Sequence, residues 1–221
     1  MNFVMAFNRV MVDRVYDYYK NYNSESVNKS EIRRIYDELS YYDQFKVFFS
    51  KPTHIVDNIY LGSAFNSCDK NTINNLNIGL IINVSSEIRN HFEKDIEYLK
   101  INIYDDNEQS IKEHLNVACN KILEFTNNPN NINKSVLIHC FMGASRSASV
   151  IIYYLIKIKK YSLFDAIEYV RNKRTSVNLS VQLFNDLLES VAADTNNIEN
   201  NIEKIENNIQ NIKKEEIEEI D

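Results

Sequence analysis

Cys140 stands at the end of an apolar run, Val136-Leu137-Ile138-His139, and Arg146 follows after five residues, Phe141, Met142, Gly143, Ala144 and Ser145. The 221-residue chain has only three cysteines and three glycines, and one of each falls in this stretch. A loop of small residues beside a glycine can turn successive backbone N–H groups toward one point and form a concave anion nest. Arg146 opens an apolar helical pattern, SRSASVIIYYLIKI, whose N-terminus adds positive potential at the same place. A thiol in such surroundings ionises readily, since thiolates at helix N-termini and near cations fall to roughly pKa 3.5–7.5. Arg146 can chelate two phosphate oxygens, and the loop amides match the equatorial oxygens of a phosphoryl group in transfer. Nucleophile and charge stabiliser therefore sit in one loop.

The loop needs a strand before it and a helix after it. From Lys51 onward, short β-branched runs read as strands: 59–62, 80–84, 98–103 and 136–139. Amphipathic segments at 110–126, 146–158, 162–173 and 180–191 read as helices. Strands alternating with helices predict an α/β domain with its ligand site at the carboxyl ends of the strands, where Cys140 would emerge. Residues 1–50 carry apolar side chains at helical spacing (Phe3, Phe7, Val10, Met11, then Ile32, Ile35, Leu39) and are expected to form a helical extension. The domain is expected over 51–193. In the tail, 194–221, Ile198, Ile202, Ile205, Ile209 and Ile212 make an a/d heptad seam. Its Asn-rich flanks have poor helix propensity, so weak self-association and a solvated helix both remain open.

His139-Cys140-x-x-Gly143-x-Ser145-Arg146-Ser147 resembles the signature loop of the cysteine-dependent protein tyrosine phosphatases, in the form of the dual-specificity branch, and the short phosphatase-like region resembles the small, atypical members of that branch. The resemblance extends over most of residues 53–190. HIVDNIYLGSAFNS resembles the family's opening strand and its Tyr-Leu-Gly element, and IGLIINVSSE the strand whose Asn, here Asn83, buttresses the signature loop. The closing segment RNKRTSVNLSVQLFNDLL departs from the family at Arg174-Thr175 and Leu179-Ser180, where Arg-Pro and Pro-Asn are usual; that bears on local loop detail.

The resemblance implies a mixed β-sheet of about five strands flanked by helices, with Cys140 as nucleophile and Phe141 to Arg146 as the phosphate cradle. It also implies that His139 orients the loop and stabilises the thiolate, and that Ser147 assists breakdown of a phosphocysteine intermediate. A leaving oxygen needs a proton, usually from a carboxylic acid on a separate loop. YLKINIYDDNEQSIKEHL resembles the family's strand and acid loop; its register puts Asp105 at the acid position, with adjacent Asp106 as the alternative. The implied activity is hydrolysis of phosphotyrosine and phosphoserine or phosphothreonine in a phosphoprotein, with no cofactor or metal.

Other classes fit less well. No Lys or Arg lies between Cys140 and Arg146 to hold a phosphoinositide's extra phosphates. An RNA 5′-triphosphatase needs a polynucleotide track, yet the net charge of −6 resides wholly in 194–221, leaving 1–193 balanced. A phosphoprotein-binding pseudophosphatase scaffold would be expected to lack the Cys, the Arg or the acid. No apolar run reaches membrane-spanning length, and Cys68, Cys119 and Cys140 form no disulfide framework or metal-ligand spacing. The expectation is a cytoplasmic or nuclear protein with no nucleic-acid or membrane partner.

Overall fold

The computed structural model describes residues 46–104 and 109–194. Most of the N-terminal extension, the tail beyond Asp194, and the pair Asp105 and Asp106 lie outside the described residues. The chain divides between Val47 and Phe48, and the sheet and its helices belong to the second part.

Strand β1 (Thr53–Val56) turns at Asp57 and Asn58 into β2 (Ile59–Gly62). Two short helices, α1 (Ala64–Cys68) and α2 (Lys70–Asn75), lead to β3 (Ile78–Val84), and β4 (Glu97–Ile101) follows. Then come α3 (Lys112–Asn127), β5 (Ser135–His139), α4 (Arg146–Lys157) and α5 (Leu163–Lys173). A last helix, α6, covers 181–194. The five strands form one mixed sheet ordered β1-β2-β5-β3-β4, in which only β1 and β2 run antiparallel. The α/β class, the strand number and the flanking helices agree with the expectation. Elements β1, α1 and α2 are too short for periodicity to reveal, though β1 falls within the HIVDN stretch that resembles the family's opening strand.

Why Cys140 reaches the sheet edge follows from β5. Its five residues are all buried, as a central parallel strand covered on both faces requires. Alternation sends Val136 and Ile138 into the main core, and Leu137 into a smaller cluster with Ile73, Ile78 and Ile81. Helix α4 is buried at every position from Arg146 to Leu155, so its direction is fixed by contact all round. A rigid strand and a rigid helix thus leave the five-residue loop little freedom.

The sheet register aligns what surrounds that loop. Gly62 pairs with His139, His139 with Asn83, and Asn83 with Lys100. These four form a single row across β2, β5, β3 and β4 at the carboxyl edge.

Candidate active site

Cys140 is 2% exposed, and its Sγ receives two hydrogen bonds: from the Gly143 N–H at 3.3 Å and the Ser147 hydroxyl at 3.2 Å. Both donors favour a thiolate over a thiol. The rest of the loop is arranged by its carbonyls, all of which accept from outside or from neighbouring helix. Phe141 O accepts from Ala64 N at 2.9 Å, and Ala144 O from Asn178 N at 2.9 Å. Met142 O and Gly143 O accept from Arg174, through Nη2 at 3.0 Å and Nε at 2.8 Å. Ser145 O accepts from Ser149, by its N–H at 2.9 Å and its hydroxyl at 3.1 Å. With its carbonyls drawn outward, the peptide units of the loop can present their N–H groups inward around the sulfur. Gly143 makes the bend possible at φ 69°, and the Phe141 ring packs on Phe48 with centroids 5.4 Å apart.

Arg174 was legible only as part of a divergent loop. In the structure it is the loop's outer brace: it is buried and also reaches Thr53 Oγ1 at 3.2 Å. Burial pushes its guanidinium below the ordinary value, and the charge of Cys140 acts in the opposite direction. A cation thus stands behind the loop as well as at its end.

Arg146 is 2% exposed. Its Nη1 donates to Glu87 Oε2 at 3.0 Å and to Ile103 O at 2.9 Å, and its Nη2 donates to Glu87 Oε1 at 2.6 Å. Burial by itself would raise the Glu87 carboxyl, but the Arg146 hydrogen bond and charge, with Lys100 nearby, hold it below the usual range. Sequence reasoning missed Glu87, because nothing in NVSSEIRN distinguishes a buried partner from a surface acid. Asn83 proves to support the site indirectly. Its Nδ2 donates to Ile88 O at 2.8 Å and to Asn90 Oδ1 at 2.9 Å, while Ser85 donates to its Oδ1 at 2.7 Å. It therefore fixes the loop that carries Glu87.

His139 is buried, and its Nδ1 lies 3.1 Å from Cys140 O. A carbonyl can only accept, so Nδ1 carries the proton and donates. Burial lowers the imidazole pKa to about 4, with the cationic neighbours Lys100 and Arg146 acting in the same direction. His139 is thus neutral at ordinary pH and acts by holding the Cys140 carbonyl, not by supplying charge. A consequence is measurable. The unfolded chain takes up this proton near pH 6.5 and the folded one only near 4, so stability is complete above 6.5 and is lost as pH falls. Between pH 8 and pH 5, His139 should remove about 2 kcal/mol of stability. Urea unfolding of His139→Gln should lose that much less over the same interval; parallel pH profiles would contradict the buried, neutral imidazole.

Beyond β4, the Tyr104 N–H donates to Gln109 Oε1 at 3.0 Å. Ile111 N, one residue before α3, donates to the buried Asp186 Oδ2 at 2.8 Å. Burial pushes the Cys119 thiol up to about 11 and also raises that of the exposed Cys68. Among the described residues, no group of His, Cys, Asp or Glu could hold a metal ion, and no helix is long and apolar enough to cross a membrane.

Residues 59–193 match the family model described as "Dual specificity phosphatase, catalytic domain". Human dual specificity protein phosphatase 1 is 31% identical over 138 residues, 62% of this chain and 36% of that protein. The Drosophila melanogaster protein phosphatase Slingshot is 30% identical over 136 residues, 62% of this chain and 13% of that protein. The chain thus spans about a third or less of these relatives' lengths. Among solved structures, human DUSP28 superposes with a TM-score of 0.61 at 20% identity, covering 66% of this chain and 96% of that one. The human tyrosine phosphatase-like serine/threonine/tyrosine-interacting protein superposes at 0.60 and 22% identity, covering 65% of this chain and 97% of that one. At these identities the likeness concerns the fold. The matched span contains the whole sheet except β1, every carbonyl of the loop and both of its arginines, and by that span this chain belongs to the dual-specificity phosphatase family.

Proposed function

We propose that this chain hydrolyses phosphotyrosine and phosphoserine or phosphothreonine in proteins through a phosphocysteine intermediate. One observation carries the reading: Cys140 Sγ lies at the base of a loop whose carbonyls are all engaged, with Arg146 at the loop's end. The thiolate attacks phosphorus, forming an S–P bond as the O–P bond to the substrate breaks. The departing oxygen takes a proton from Asp105 or Asp106. The ionised carboxylate then removes a proton from water, whose oxygen displaces sulfur and releases inorganic phosphate. Arg146 and the loop amides hold the three equatorial oxygens in both steps. Ser147, already donating to Sγ, stabilises the thiolate as it leaves in the second step. The charges and donors come from the protein alone.

A protein substrate is favoured because no side chain between Cys140 and Arg146 is basic, and Arg174 is spent on the loop's outer carbonyls. The chemistry also requires a reduced thiol, in keeping with a cytoplasmic or nuclear setting.

The test is phosphate release by the full chain from an aryl phosphate and from phosphotyrosine and phosphothreonine peptides, beside a phosphoinositide and a 5′-triphosphate RNA. Acid quenching should trap phosphate on Cys140. Exchanging Asp105 and Asp106 for Ala, one at a time, should slow phosphopeptide turnover about 100-fold at the acid and little at its neighbour. Release from the lipid or the RNA with none from peptides would overturn the protein reading.

A further inference from the structure

Glu87 lies outside the signature loop, and neither the nucleophile nor the acid touches it in the mechanism above. It nonetheless makes a two-pronged ion pair with the most deeply buried cation of the site. A guanidinium has five N–H groups arranged as two forks, one between Nη1 and Nη2 and the other between Nη2 and Nε. The first fork faces the two Glu87 oxygens, and the second Nη1 hydrogen goes to Ile103 O. The edge of Arg146 turned away from Glu87 is then the one between Nη2 and Nε, its direction set by the paired carboxylate.

The loop that carries Glu87 is itself held in place. Ser85, Ile88 and Asn90, on either side of Glu87, are tied through Asn83 on β3, and Ile88 O also accepts from Lys100 on β4. Ile103 O accepts from Ser86 N at 3.1 Å as well as from Arg146. One carbonyl therefore joins the Glu87 loop, Arg146 and the root of the span that carries Asp105.

We propose that Glu87 is a positioning residue that clamps the outer edge of Arg146 and aims its other fork at the transferring phosphoryl group. The inference rests on the phosphatase reading. A fixed fork can chelate a tetrahedral phosphate, but its orientation matters most as the phosphoryl oxygens flatten into an equatorial plane, where both N–H contacts must be kept through transfer. The clamp should accordingly be felt in turnover more than in substrate binding.

The experiment uses Glu87→Ala and Glu87→Gln in the full chain, with an aryl phosphate as substrate and vanadate and inorganic phosphate as inhibitors. Vanadate adopts the five-coordinate geometry of transfer, and inorganic phosphate does not. Glu87→Ala should lower kcat about 10- to 100-fold while KM stays within about threefold. Vanadate inhibition should weaken by about the same factor as kcat/KM, and phosphate inhibition should weaken by less than about threefold. Glu87→Gln, which keeps one acceptor oxygen, should fall between Ala and the parent. An unchanged kcat in Glu87→Ala overturns the proposal. So does an equal weakening of vanadate and phosphate accompanied by a lower unfolding temperature, which would mark Glu87 as merely structural. If the parent protein releases no phosphate, the phosphatase reading fails separately. The clamp is then judged by oxyanion binding alone: vanadate must lose more affinity than phosphate, and equal losses refute it.

Discussion

Replacing Cys140 by Ser should reduce aryl-phosphate hydrolysis by at least about 10⁴-fold while leaving the fold in place. The substitution exchanges sulfur for oxygen at a site that is 2% exposed, so it opens no space that neighbours must fill. The Gly143 N–H and the Ser147 hydroxyl, at 3.3 and 3.2 Å from sulfur, still find an acceptor. What is lost is ionisation. These two donors and the flanking arginines favour a thiolate over a thiol, and no such set of donors brings a serine hydroxyl near ionisation. The serine variant should retain phosphate affinity, because the loop amides and Arg146 are untouched. Competition by inorganic phosphate against a fluorescent phosphopeptide would measure that affinity, and steady-state hydrolysis the rate. Parental turnover in Cys140→Ser would remove the nucleophile from this loop.

The retained affinity matters because it separates the two jobs of the loop, which were not equally legible in the sequence. His139, Cys140, Gly143 and Arg146 lie within eight residues, and a strand, a tight loop and a helix are local structures, so their grouping in one loop was legible in the sequence. The brace and the clamp were not. Arg174 meets Gly143 from 31 positions downstream, and Glu87 meets Arg146 from 59 positions upstream. The sheet order sets β3, and with it the Glu87 loop, beside β5, whereas Arg174 arrives at the end of α5, so both contacts depend on tertiary packing. Local patterns report what a residue's neighbours along the chain require; they carry no information about partners supplied by strand pairing. Asn83 illustrates the same limit. It lies in the row at the carboxyl edge of the sheet, directly beside His139, yet its side chain serves the Glu87 loop.

Gly143→Ala should damage both jobs at once, with activity falling about 100- to 1,000-fold and stability by about 2–4 kcal/mol. The backbone at 143 has φ 69°, a left-handed conformation that costs an alanine about 1 kcal/mol by itself. The larger cost is steric. A Cβ on this residue would stand 2.3 Å from Gly62 O and 2.7 Å from Gly62 C. These are backbone atoms of β2, paired with His139 in the sheet, so they cannot swing aside as a side chain would. Relief must come from the loop. Moving it inward would push Gly143 N toward sulfur and narrow the anion nest; tilting it would pull Gly143 O from Arg174 Nε and loosen the outer brace. Either response misplaces the donors that must meet the equatorial oxygens, so phosphate affinity should fall in Gly143→Ala although it survives in Cys140→Ser. Urea unfolding and phosphate competition on the two variants together test the point. Parental phosphate binding in Gly143→Ala would mean that the loop can carry its ligand without the close approach to β2.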